Sequence, residues 1–157
     1  MPEMNVQINI LSKNQFTNLI NKENATKKYY QTPAGTLQVS TTNLGVYEAI
    51  FIDDDSKTNE LLNQNINPDK IVLSGTEFQI KVWQAALQIP KGKTVTYQEL
   101  ANTIGMPKAY RAVANALSKN KIAYFIPCHR IVGKNGKLTG YKWGIEKKAE
   151  LLKTEKS

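Results

Sequence analysis

One cysteine and one histidine are all the chain has, at the adjacent positions Cys128 and His129 of 157 residues. A lone cysteine allows no internal disulfide, which fits a reducing compartment. The pair also falls short of the four ligands of a structural zinc site, so no metal and no cofactor are expected. Arginine is nearly as scarce: of 21 basic residues all are lysine except Arg111 and Arg130. Arginine at two positions in so lysine-rich a chain suggests a need there for a planar, five-donor cation. No stretch reaches the roughly 20 apolar residues of a membrane helix. Residues 1–10 lack the basic start and apolar run of a secretory signal. A cytoplasmic protein without membrane association is expected.

What is abundant is positive charge, and it is unevenly spread. The net charge is +8, with six lysines against eight acids in residues 1–72 and fifteen basic residues against five acids in residues 73–157. A half-chain that basic is the electrostatic footprint of a nucleic-acid partner. The change of sign, just after Asn67-Pro68, suggests two domains, 1–72 and 73–157.

In the first domain, a strand is expected at Asn5–Leu11, followed by a short helix. Thr36–Thr42 and Val46–Asp53 alternate like half-buried strands about the turn residues Asn43-Leu44-Gly45. Glu60-Leu61-Leu62 reads as a helical stretch within an acidic, Asn-rich run. In the second domain, Thr76-Glu77-Phe78-Gln79 and Thr96-Tyr97-Gln98-Glu99 are capping-box patterns. The first opens a helix with Phe78, Val82, Ala85, Ala86 and Ile89 inward. The second opens a short helix that Gly105 ends. Pro107 begins another, with Ala109, Ala112, Val113, Ala116 and Leu117 inward. Two short helices joined by a glycine-containing turn outline a helix-turn-helix. Residues 124–132 read as an extended apolar stretch with a polar centre, and Asn135-Gly136 as a hairpin turn suited to a wing. The last helix, 144–155, places Ile145, Ala149 and Leu152 inward.

The chemistry concentrates at Pro127-Cys128-His129-Arg130. A free cysteine is most often a small buried hydrophobe, yet here it adjoins the only histidine and one of two arginines. A thiol becomes a strong nucleophile as thiolate, which requires a base or a positive charge nearby. On a regular strand the two side chains would face opposite ways, so a turn or a bridging water must link them. The imidazole in turn needs a carboxylate to fix its tautomer. Glu155, three residues after Leu152 in a final turn where the helix dipole opposes its charge, is one candidate, though a glutamate there is more often a surface residue.

The run Pro127-Cys128-His129-Arg130-Ile131-Val132 resembles the active-site signature of the O6-alkylguanine-DNA alkyltransferases, the methylated-DNA–protein-cysteine methyltransferases, in the form of the bacterial adaptive-response proteins. The resemblance extends through Thr76–Gln79, Thr96–Ala101, Pro107–Val113, Asn120, Gly140–Gly144 and Leu151-Leu152…Glu155, in the family's order and spacing. It covers about residues 74–156, and residues 33–53 match the family's N-terminal sheet more loosely. It implies an α+β fold: a small N-terminal antiparallel sheet with helix, ribonuclease H-like, followed by a helical, winged helix-turn-helix-like C-terminal domain. The implied activity is DNA repair. A monomer would transfer the alkyl group of O6-alkylguanine, and also of O4-alkylthymine, from a flipped nucleotide of double-stranded DNA to its own cysteine, once per molecule, while scanning the nucleoid.

By the same resemblance, Cys128 is the alkyl acceptor, His129 its water-mediated base, Glu155 the orienting carboxylate and Asn120 the brace of the active-site turn. Arg111 fills the space of the flipped base from the minor groove, and Tyr97, Gln98, Ala112 and Lys134 contact DNA. Tyr97 also protonates or hydrogen-bonds the departing guanine. The carbonyls of Cys128 and Ile131 read its amine, the amide of Lys142 its O6 side, and Tyr141 lines the pocket. Lys121 stands where the family often has proline, and Trp143 where some members have glycine. Two other classes fit less of the sequence. A winged-helix regulator leaves the Cys-His-Arg cluster unused, and Cys128 argues against an alkyltransferase-like protein, which carries another residue in place of the acceptor.

Overall fold

Strand β3 (Gly35–Thr42) and strand β4 (Gly45–Ile52) form the expected hairpin about Asn43-Leu44. In β3, Leu37 and Val39 are buried at period two, and then Ser40 and Thr42 are. The one-residue slip coincides with a shift of register between Ser40 and Thr41, the signature of a bulge. Gly45 is obligatory at the turn: its φ is +129°, and a Cβ there would lie 2.6 Å from the Lys70 carbonyl.

The computed structural model describes residues 6–21, 25–53, 57, 61–62 and 68–156. They divide into two units, Met1–Thr76 with Lys121–Phe125, and Glu77–Asn120 with Ile126–Ser157. The first unit comprises β1 (Gln7–Ile10), α1 (Lys13–Asn21), β2 (Thr26–Thr32), β3, β4, β5 (Leu61–Leu62) and β6 (Lys70–Leu73), with sheet order β1-β6-β4-β3-β2-β5. The sheet is mixed, not antiparallel as expected. Only β2-β3-β4 run antiparallel, while β1-β6, β4-β6 and β2-β5 are parallel. Turn signals reveal hairpins between successive strands, whereas parallel pairs need long crossovers that carry no local signal. Leu61-Leu62 lies in β5 beside Tyr29-Tyr30, not in a helix, and Glu60 lies outside the described residues.

Residues 121–125, assigned by sequence to the second domain, group with the first unit. The cause is backbone pairing: Ala49 N donates to Lys121 O at 2.9 Å and Ala123 N to Ala49 O at 2.8 Å. Tyr124 then takes a left-handed φ of 72°, a conformation that costs a non-glycine residue about 1–3 kcal/mol.

The second unit holds α2 (Glu77–Leu87), β7 (Val95–Thr96), α3 (Tyr97–Thr103), α4 (Tyr110–Ser118), β8 (Ile131–Val132) and α5 (Ile145–Glu155). The capping box of α3 is complete: Glu99 N donates to Thr96 Oγ1 at 3.0 Å, and Thr96 N to Glu99 Oε1 at 2.8 Å. Gly105, at φ +75°, ends the helix as expected. Pro107–Ala109 forms a 3-10 turn before α4, and α4 buries Val113, Ala116 and Leu117 but leaves Ala112 exposed. In α2, Val82, Ala86 and Ile89 are buried as expected. Phe78 and Ala85 are half-buried, and Ile80 and Trp83 complete the inner face, with Trp83 Nε1 donating to Ala116 O at 2.9 Å.

Two expectations fail here. Asn135 and Gly136 both adopt positive φ, as a mirror-image turn requires, but β8 pairs in parallel with β7 rather than with residues beyond the turn. No wing hairpin is formed among the described residues. In α5 the buried residues are Lys148 and Leu151; of the expected inward set, Ala149 and Leu152 are half-buried and Ile145 is 46% exposed. Burial of a lysine rotates that face away from the apolar pattern.

Candidate functional site

Cys128, His129 and Arg130 form one turn of 3-10 helix, not the extended strand expected. Successive side chains of such a turn splay by about 120°, so three neighbours reach three different places. Cys128 is buried, and its sulfur accepts from Asn120 Nδ2 at 3.2 Å. His129 is fully buried, with Nε2 3.0 Å from Glu155 Oε2. Arg130 donates through Nε to Glu155 Oε1 at 2.9 Å, through Nη2 to Glu155 Oε2 at 2.7 Å, and through Nη1 to Ile89 O at 2.7 Å.

The electrostatics follow from that placement. Burial alone would push the Glu155 carboxyl up, but hydrogen bonds and charge from His129 and Arg130 outweigh it and bring it to about 2. Glu155 is therefore an anion at neutral pH and can only accept. Burial lowers the His129 pKa more than Glu155 raises it, so the ring is neutral. A neutral imidazole facing a carboxylate donates its Nε2 proton, which leaves Nδ1 as the basic nitrogen. Burial pushes the Cys128 thiol up to about 12 against smaller opposing effects of Asn120, Lys148, its own backbone and Lys142. At rest the group is a thiol beside a neutral histidine held in one tautomer. That arrangement suits proton removal during a reaction rather than a standing thiolate.

Around this centre, Ile131 O accepts Lys148 Nζ at 2.6 Å, and Cys128 O accepts Ile131 N. Lys148 also donates to Thr139 O at 2.9 Å and Gly140 O at 3.2 Å, and burial lowers its pKa to about 8. Tyr141 stacks edge-on against His129 at 6.4 Å and Trp143 at 5.4 Å. Lys142 Nζ donates to Asn120 O at 3.3 Å. Tyr97 opens α3 with its hydroxyl 3.5 Å from Thr139 Oγ1.

The residues named for DNA lie on the surface. Arg111, Gln98, Ala112 and Lys134 are exposed, and Tyr97 is half-exposed. Arg111 rests on Tyr110, its guanidinium 5.8 Å from the ring centre. Gln98 donates to Pro107 O at 2.7 Å and to Asn102 Oδ1 at 3.0 Å, so its amide ties α3 to the turn before α4. Sequence reasoning assigned no role to Arg130 or Lys148. The scarcity of arginine signalled the first; nothing distinguished the second from eighteen other lysines.

Residues 77–157 match the family model described as 6-O-methylguanine DNA methyltransferase, DNA binding domain. The chain belongs to that family. It is 55% identical over 96 residues to the bifunctional transcriptional activator/DNA repair enzyme Ada of Escherichia coli, covering 60% of this chain and 27% of that protein. It is 56% identical over 85 residues to the methylated-DNA–protein-cysteine methyltransferase of Kluyveromyces lactis, covering 54% and 45%. The chain thus spans less than half the length of these two curated relatives. Among solved structures, Mycobacterium tuberculosis OGT in complex with DNA superposes with a TM-score of 0.69 at 33% identity, covering 83% of this chain and 92% of that one. A Pyrococcus kodakaraensis O6-methylguanine-DNA methyltransferase shares the mixed α+β fold at 18% identity and a TM-score of 0.59.

Proposed function

We propose that this chain repairs double-stranded DNA by moving the alkyl group of O6-alkylguanine, and of O4-alkylthymine, onto Cys128 in a single turnover. The observation that carries the reading is the contiguous set Asn120–Cys128 and His129–Glu155–Arg130 within the matched domain. His129 Nδ1 takes the thiol proton through one water, the sulfur attacks the alkyl carbon, and guanine leaves with the C–O electron pair. Tyr97 supplies a proton to the departing base. The carbonyls of Cys128 and Ile131 and the amide of Lys142 read the guanine edge, with Tyr141 as a wall.

The target atom is out of reach in a stacked duplex, so the nucleotide must be flipped, at a few kcal/mol. Arg111 takes its place from the minor groove, and Tyr97, Gln98, Ala112 and Lys134 hold the backbone. In this reading α3 and α4 are a helix-turn-helix, and the first unit is ribonuclease H-like. The protein acts as a monomer in the cytoplasm, on the nucleoid. Radiolabel transfer from O6-methylguanine DNA tests the proposal. A burst equal to the protein present, absent in Cys128→Ser, is expected; sustained turnover or no transfer overturns it.

A further inference from the structure

We propose that Tyr141 and Lys142 make this site favour alkyl groups that end in a carboxylate over neutral groups of similar length, O6-carboxymethylguanine in DNA over O6-propylguanine. The inference rests on the alkyl-transfer reading above and concerns which alkyl group the site prefers.

Tyr141 brings a donor that nothing nearby uses. Its hydroxyl is buried and has no hydrogen-bond partner among the described residues. The ring is fixed edge-on to His129 and Trp143, so the hydroxyl cannot swing freely to seek one. A buried polar group left unpaired costs free energy, which an acceptor on a bound substrate would recover. Burial raises the phenol's pKa, so it remains a donor at any working pH.

Lys142 adds a movable cation. Its Nζ bonds Asn120 O at 3.3 Å, while Asn120 Nδ2 lies 3.2 Å from the acceptor sulfur. The ammonium therefore sits about one side chain from Cys128, and Lys142 is exposed, so it can turn toward a ligand. The surrounding charge favours an anion. Lys148 adds a buried ammonium whose bonds go to three backbone carbonyls. The carboxylate at the site, Glu155, is already held by Arg130 at two points.

A methyl group uses none of this. A carboxymethyl group brings an anion into a largely desolvated site, which is costly unless it meets donors and countercharge. It also sets that anion beside a sulfur becoming negative, a repulsion that nearby cations offset. The transfer balances without any further reactant. Cys128 loses its proton to His129, the sulfur–methylene bond forms, and the methylene–O6 bond breaks with its electron pair on guanine. The guanine takes up one proton, leaving S-carboxymethylcysteine.

The test compares single-turnover rates of the full chain on duplexes carrying one O6-carboxymethyl-, O6-propyl- or O6-methylguanine, propyl being the neutral group of similar length. Wild type should process carboxymethyl faster than propyl, with the intact mass gaining one carboxymethyl group. Lys142→Met should lower the carboxymethyl-to-propyl ratio roughly tenfold, the effect of losing one hydrogen bond to a charged group. Tyr141→Phe should lower it several-fold, and Lys142→Arg should restore most of it. Because the measure is a ratio, common losses in DNA binding or folding cancel. A ratio below one in wild type, or one that neither Lys142→Met nor Tyr141→Phe moves, overturns the selectivity while methyl transfer persists. Failure to transfer methyl as well overturns the underlying reading.

Discussion

Arg130 meets Glu155 at two points, Nε on Oε1 at 2.9 Å and Nη2 on Oε2 at 2.7 Å, while Glu155 Oε2 also faces His129 Nε2 at 3.0 Å. One carboxylate thus receives a planar fork and an imidazole together. The fork fixes the plane of the carboxylate, which in turn aims the ring. Its third contact, Nη1 on Ile89 O at 2.7 Å, anchors the guanidinium to the residue just past α2.

Lysine cannot reproduce that geometry, since it offers a point charge rather than parallel donors. Arg130→Lys should therefore slow single-turnover transfer about tenfold and cost about 1–3 kcal/mol of stability, read from urea midpoints. The same contact predicts an acid limb. Glu155 has its folded pKa depressed to about 2, so its contribution is complete above the unfolded value of about 4.3 and is lost as pH falls toward 2. Arg130→Lys should flatten the loss of stability between those two pH values. An unchanged midpoint and an unchanged acid limb would show that the contact adds nothing to the fold.

Legibility in the sequence divided along physical lines. Local signals were readable: the Thr96–Glu99 box, the left-handed Gly105 and the Asn43-Leu44 turn stand where their chemistry placed them. Long-range effects were not. The parallel pairing of β1 with β6 and the docking of residues 121–123 on Ala49 depend on chain paths that no short window reveals. Lys148 shows a second limit. A lysine counts as surface in any hydropathy pattern, yet three carbonyls brought together by the turns after β8 satisfy its ammonium in the interior. At the site, helical position made Glu155 only a candidate partner of His129, and the family resemblance named it; the two meet at 3.0 Å. The 3-10 turn that lets Cys128 and His129 point apart was hidden, because a proline-led run of apolar residues reads equally well as a strand.

If Arg111 takes the place of the flipped base as proposed, it separates DNA handling from chemistry. It is exposed on α4 and rests on Tyr110 rather than on the Cys128 centre. Arg111→Ala should leave reaction with free O6-benzylguanine within about twofold of wild type. Repair of a duplex should slow by roughly a hundredfold, the scale of a few kcal/mol for holding a base out of the stack. Parallel losses on both substrates would assign Arg111 to the fold instead.

The relay makes the sharpest prediction. Cys128 rests as a thiol, pushed up to about 12 by burial, and His129 is neutral. Little standing thiolate exists at neutral pH, so under the proposed reaction the rate would depend on His129 removing the proton as the sulfur attacks. In that reading Glu155 would support the step twice: it accepts a hydrogen bond from Nε2–H, leaving Nδ1 basic, and it would stabilise the positive ring that forms. Glu155→Gln keeps the shape but removes the charge, and its amide can present a donor to Nε2 and favour the other tautomer. Single-turnover rates with O6-benzylguanine, which bypass DNA binding, should fall roughly a hundredfold or more at neutral pH. They should then recover as pH rises toward 12, because hydroxide can do what the weakened base cannot. Wild type should show a flatter rise over the same range. A uniform loss at every pH would mean that Glu155 serves only to pack α5, and unchanged rates would exclude it from the relay. The Arg130→Lys variant gives an independent check, since it leaves the carboxylate in place but loosens its aim. Its profile should fall between those of wild type and Glu155→Gln.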